Sequence, residues 1–175
     1  GADSLFGGGG ADSLYGGTAN DSLSGGHGND LLDGGANNDT LSGEAGDDSL
    51  QGGTGLDTLY GGSGMDFLDY SDSNAAVAIN LATNTASGGH ATGDVLSGVD
   101  GVFGSVFDDT LLGFDFQGTS GDIYTNIFFG GGGNDSIDAG GANDVIDGGS
   151  GNDTLIAGSG DDTSSGGAGN DAIFG

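Results

Sequence analysis

Leucine recurs at every ninth position through the first part of the chain, at Leu5, Leu14, Leu23, Leu32, Leu41, Leu50, Leu59 and Leu68. Two residues before each stands an aspartate: Asp3, Asp12, Asp21, Asp30, Asp39, Asp48, Asp57 and Asp66. Polar and glycine residues fill the space between, as in GGTANDSLS at 16–24 and GGHGNDLLD at 25–33. Nine residues on a helix advance about two and a half turns, which would send successive leucines to opposite sides. A short strand with its middle side chain turned inward, after a six-residue glycine-rich turn ending in Asp, accommodates the pattern instead.

Two such units make one coil with a strand on each side, so alternate repeats stack as parallel strands about 4.8 Å apart. The leucines then form two facing ladders. The aspartates divide between two edges, with Asp3, Asp21, Asp39 and Asp57 on one and Asp12, Asp30, Asp48 and Asp66 on the other. Carboxylates at that spacing repel unless a cation lies among them, and turn carbonyls can complete the oxygen shell that Ca²⁺ prefers. Mg²⁺ suits such a site less well, because it demands a tighter octahedron and gives up water reluctantly.

The same register returns late in the chain with Asp135, Asp144, Asp153, Asp162 and Asp171, paired with Ile137, Ile146, Leu155, Ser164 and Ile173. Between the tracts, Val77, Ile79 and Leu81 alternate as in a half-exposed strand, a turn falls around Ser87–Gly89, and a second apolar stretch runs from Val95 to Phe103. GSVFDDTLL at 104–112 is again a repeat, with Asp109 and Leu111 in place. The spacing from Gly104 to Gly130 is one residue short of three repeats, and Asn126 stands at the next Asp position. The expected organisation is a first roll tract at 1–69, connector strands at 70–103, degenerate repeats at 104–129 and a second tract at 130–175. Phe114, Phe116, Tyr124, Phe128 and Phe129 are read as extra core or an interface.

Composition sharpens the cation argument. Among 175 residues there are 44 glycines and 27 carboxylates but no Lys or Arg, a formal net charge of -27. Glycine loses much backbone freedom on folding and offers no side chain to bury, while one-signed charge opposes compaction. Without counter-ions the chain is therefore expected to be unfolded. Nucleic acid and anionic membrane surfaces are excluded as partners, since both are held largely by Lys and Arg. There is no Cys, which removes disulfides and thiolate metal sites and leaves hard, oxygen-seeking cations.

The repeated GGxGxDxUx motif, with U a large apolar residue, resembles the nonapeptide of the RTX (repeats-in-toxin) family, a Ca²⁺-binding repeat. The resemblance implies an all-β, right-handed parallel β-roll with several Ca²⁺ ions held between its turns. It implies as metal ligands Asp3, Asp12, Asp21, Asp30, Asp39, Asp48, Asp57, Asp66, Asp109, Asp135, Asp144, Asp153, Asp162 and Asp171. It also implies type I secretion as an unfolded chain and folding outside the cell, in a secreted or cell-surface protein.

No catalytic role is expected. The aspartates of the tracts are accounted for by the repeat, there is no HExxH, and no Lys, Arg or Cys can act as base, clamp or nucleophile. His27, in a turn, and His90, in the connector, are read as solvated side chains. The functional expectation is a calcium-folded structural or assembly segment of a larger secreted protein. Its alternative is the secretion and stabilisation domain of a toxin, protease or lipase with its catalytic domain elsewhere. Coils left uncovered at an end would invite self-association.

Overall fold

A computed structural model describes residues 1–114 and 125–175. The first half forms strands β1 Ser4–Gly9, β2 Ser13–Thr18, β3 Ser22–His27, β4 Leu31–Ala36, β5 Thr40–Ala45, β6 Ser49–Gln51, β7 Thr58–Ser63 and β8 Phe67–Asp69. The middle adds β9 Ala78–Asn80, β10 Thr85–Ser87, a 3₁₀ turn at Gly89–Ala91, β11 Val95–Ser97 and β12 Gly101–Phe103. The remainder is β13 Thr110–Phe114, β14 Ile127–Phe129, β15 Ser136–Gly140, β16 Val145–Asp147, β17 Thr154–Ile156, β18 Thr163–Ser165 and β19 Ala172–Phe174. The chain is all-β, and these strands build a parallel β-roll.

Two sheets result, one of eleven strands in the order β1-β3-β5-β7-β11-β10-β9-β13-β15-β17-β19 and one of eight in the order β18-β16-β14-β12-β8-β6-β4-β2. All pairings are parallel except those of β10, which runs antiparallel to β9 and β11. In the repeat tracts successive strands cross from one sheet to the other, so each leucine stacks on the one two repeats away: Leu23 on Leu41, Leu41 on Leu59 and Leu32 on Leu50. Those side chains are at most 1% exposed, and they form the interior between the sheets. The inward residue is apolar because it alone of each strand triplet faces the opposite sheet.

The early strands are longer than the expected triplets. β1 continues through its three glycines, with Gly8 opposite Gly26 and Gly9 opposite His27. Stacked turns keep the same backbone path from coil to coil, so their amides go on pairing where the side chains have ceased to alternate.

Residues 70–103 enter both sheets. β11 continues the eleven-stranded sheet beyond β7, pairing Leu96 with Leu59, and β12 continues the eight-stranded sheet beyond β8, pairing Val102 with Leu68. The shortened spacing between 104 and 130 leaves the ladder in register, since Leu111 lies opposite Ile137. Phe128 is fully buried, whereas Phe129 stacks on Phe103 at a centroid distance of 4.9 Å on the outer face of its sheet. Phe116 and Tyr124 lie outside the described residues. His90 departs from the expectation of a solvated side chain: it is 11% exposed, with Nδ1 3.4 Å from Asp72.

Candidate metal sites

The two edges of the roll carry two files of aspartates, and each carboxylate divides its oxygens between two tasks. One oxygen holds backbone. The main-chain N–H of Asp3 donates to Oδ1 of Asp21 at 2.6 Å, and that of Asp21 to Oδ1 of Asp39 at 2.7 Å. Asp39 and Asp57 continue the file. On the other edge Asp12, Asp30, Asp48 and Asp66 are linked in the same way at 2.8–2.9 Å. In the later coils Asp109, Asp135, Asp153 and Asp171 form one file, and Asn126, Asp144 and Asp162 the other.

The second oxygen turns into the loop. Oδ2 of Asp12, Asp21, Asp30, Asp39, Asp48, Asp57, Asp66, Asp135, Asp144 and Asp153 is buried with no hydrogen-bond partner. A buried carboxylate oxygen left unsatisfied costs several kcal/mol unless something positive meets it. The surroundings add oxygens. A Cβ placed on Gly7 would meet Oδ2 of Asp12 at 2.7 Å and the carbonyl oxygen of Gly25, one coil on, at 2.6 Å. Gly16 repeats this with Asp21 and Gly34, and Gly148 with Asp153 and Gly166. Glycine begins each repeat because a side chain there would occupy a cradle lined by oxygen.

Among the described residues no three acidic or imidazole side chains converge on one point. At Gly7, Gly16 and Gly148 the cradle brings one carboxylate oxygen beside a backbone carbonyl, donors that suit a hard cation accepting neutral oxygens. Burial, the dominant cause, with neighbouring carboxylates adding to it, pushes Asp57, Asp66 and Asp135 up to about 7. Asp39, Asp48 and Asp144 are raised in the same sense, again chiefly by burial. These groups are poorly solvated as anions and gain most from a cation.

The remaining expected ligands differ. Asp3 is exposed at the first coil, and Asp162 and Asp171 are half-buried at the last. Asp109 is buried, but both its oxygens accept from the hydroxyl of Ser105, at 2.9 and 3.0 Å, and its Oδ2 also accepts the Ser105 N–H. Two residues off the nine-residue register join the files. Asp94 accepts the Asp57 N–H at 2.9 Å and Asp100 accepts the Asp66 N–H at 3.0 Å.

A further ladder, unforeseen from the sequence, runs along the outside. Where the residue before a ladder aspartate is itself Asn or Asp, its Oδ1 accepts a main-chain N–H from the next coil at several turns: Asn29 from Asp47, Asn38 from Leu56, Asp47 from Met65, Asn134 from Asn152 and Asn143 from Asp161. The repeated Asn-Asp and Asp-Asp pairs were its visible signal.

A solenoid whose turns carry buried, half-satisfied carboxylates beside converging carbonyls belongs to the calcium-binding repeat proteins. Comparison with known families agrees: the RTX calcium-binding nonapeptide repeat matches four times, over residues 6–41, 33–68, 120–155 and 156–175. The chain belongs to this family, and its repeats bind multiple Ca²⁺ ions. No curated protein matches it.

Proposed function

We propose that this chain is a calcium-driven folding module serving as a structural or assembly segment of an extracellular or cell-surface protein, without catalysis of its own. The observation that carries the reading is the series of buried Oδ2 atoms without partners along both edges. We place the cations at those cradles, with the turn carbonyls as co-ligands. Asp3, Asp162 and Asp171 serve the terminal coils. Bound Ca²⁺ supplies the positive charge that the chain lacks.

The chain's own residues do the rest. The Oδ1 atoms fix each carboxylate against the neighbouring coil, so Oδ2 is aimed at the cradle as the coils stack around the cation. The glycines leave the volume open, and the leucine ladders align the turns. A module with Ca²⁺ affinity of the order of 10⁻⁴ to 10⁻³ M fills outside cells and stays empty in the cytosol. At tenfold saturation each site adds about 1.4 kcal/mol to folding. This supports secretion as an open chain and folding on arrival. The absence of Lys and Arg supports partners other than nucleic acid or anionic membrane.

The test is circular dichroism from chelated buffer to millimolar Ca²⁺, with Mg²⁺ as control. A cooperative coil-to-β transition with Ca²⁺ alone is expected. Full β-structure under chelator would overturn the reading.

A further inference from the structure

The cradles are not uniform along the roll, and the exceptions gather in its middle. At Asp94 the oxygen turned away from Asp57 accepts the hydroxyl of Tyr70 at 3.0 Å, in a pair where Tyr70 is 1% and Asp94 6% exposed. At Asp109 the Ser105 hydroxyl reaches both carboxylate oxygens. On the other edge Asn126 replaces the acid, and its Nδ2 donates to the carbonyl of Ala139 at 3.0 Å. A Cβ on Gly113 would meet that carbonyl and that Nδ2. The geometry repeats the cradle of Gly7, with a neutral N–H donor where the others have an unmatched anion; the Asn126 Oδ1, uncharged, is buried without a partner.

Backbone conformation separates the Ser105 turn as well. The second residue of each repeat lies at positive φ, as at Gly26 with 110° or Gly149 with 95°, and even Glu44 adopts 78° there. Ser105, at this position, does not. Its turn takes another path, which brings the hydroxyl onto Asp109. In the connector Val77 stands where an aspartate would, its N–H donating to Asp109 at 2.7 Å. Between Val77 and Val99 the chain buries six apolar side chains, Val77, Ile79, Leu81, Ala91, Leu96 and Val99. The regular tract supplies one for each nonapeptide.

We infer that the turns of Asp94, Asp109 and Asn126 take no cation, being closed by Tyr70, Ser105 and the Asn126 amide, and that they form a calcium-independent centre. This centre divides the metal ladder into two banks and offers each a preformed edge: β11 for the earlier strands, β13 for the later ones. Templating removes the cost of nucleating a parallel sheet from distant segments, which is otherwise slow because loop closure precedes any gain. Each bank then grows outward from the centre as its cradles fill. The inference rests on the proposed cation positions in the two tracts.

Hydrogen exchange on the whole chain in chelator, followed by mass spectrometry of its fragments, tests it. Amides of residues 77–81, 95–103 and 110–112 should exchange at least about tenfold more slowly than those of 22–68 and 136–174, and Ca²⁺ should then protect the outer segments. Native mass spectrometry supplies an independent count. Asn126→Asp and Ser105→Gly each re-create an open carboxylate cradle, and each should bind one Ca²⁺ more than the parent chain. Uniform exchange in chelator overturns the inference, as does an unchanged Ca²⁺ count in both variants. A parent chain that binds no Ca²⁺ would instead remove the proposed function.

Discussion

Asp48→Asn separates the two tasks of a ladder carboxylate. In the parent chain Oδ1 of Asp48 accepts the Asp30 N–H at 2.8 Å, and the Asp48 N–H reaches Asp66 at 2.9 Å. The side chain is 1% exposed, and its Oδ2 is unsatisfied beside the Gly61 carbonyl. Asparagine keeps the Oδ1 acceptor and removes the charge. Its amide can donate to Gly61 as Asn126 does to Ala139. Without Ca²⁺, relief of a buried, unmatched acceptor should stabilise the fold by about 1–3 kcal/mol. With Ca²⁺ at a hundred times Kd, loss of one site should remove about 2.7 kcal/mol. The variant's stability relative to the parent should thus move by that amount between the two conditions. Urea unfolding followed by circular dichroism measures both, with an excluded osmolyte bringing the chelated chain into range. The slope of stability against log Ca²⁺ should fall by one ion. A variant weakened in chelator, or one with an unchanged slope, would refute the assignment of Oδ2 to the cation.

Ala142 sits at φ 99°, where glycine occupies most equivalent turns, so Ala142→Gly should stabilise the Ca²⁺-loaded roll by about 1 kcal/mol in thermal unfolding. Ser164 interrupts the ladder opposite Ile146 with a buried hydroxyl lacking a partner, and Ser164→Val should add about 1–2 kcal/mol by the same measure. Acidification should favour the cation-free roll. Asp57, Asp66 and Asp135 rise to about 7 when folded against an ordinary value of 3.8, so the folded state binds more protons between those limits. Its stability is lost as pH rises through that window. Circular dichroism in chelator should show more β-structure at about pH 5 than at about pH 8; in Ca²⁺ the order should reverse, because protons then compete with the cation.

A sequence with an apolar residue every ninth position carries its own coil length, because parallel strands align like with like and an 18-residue coil returns Leu32 onto Leu50. The inward ladder, the edge position of the aspartates and the need for an external cation were legible from that spacing and from the missing Lys and Arg. The length of the early strands was not, since paired turn backbones leave no trace in side-chain alternation.

Stacking alone decided the finer chemistry. Asp94 and Asp100 join the files through hydrogen bonds spanning 37 and 34 residues, so no local period announces them. The division of each carboxylate into a backbone-holding Oδ1 and an open Oδ2 exists only when the next coil is in place. Asp109 carries the repeat's motif, yet a serine at the second position of its own turn fills its oxygens. Repeat spacing records which residues share an edge; the electrostatic state of each turn depends on donors brought by neighbouring coils and by the turn's own backbone path, and these are set only when the coils stack.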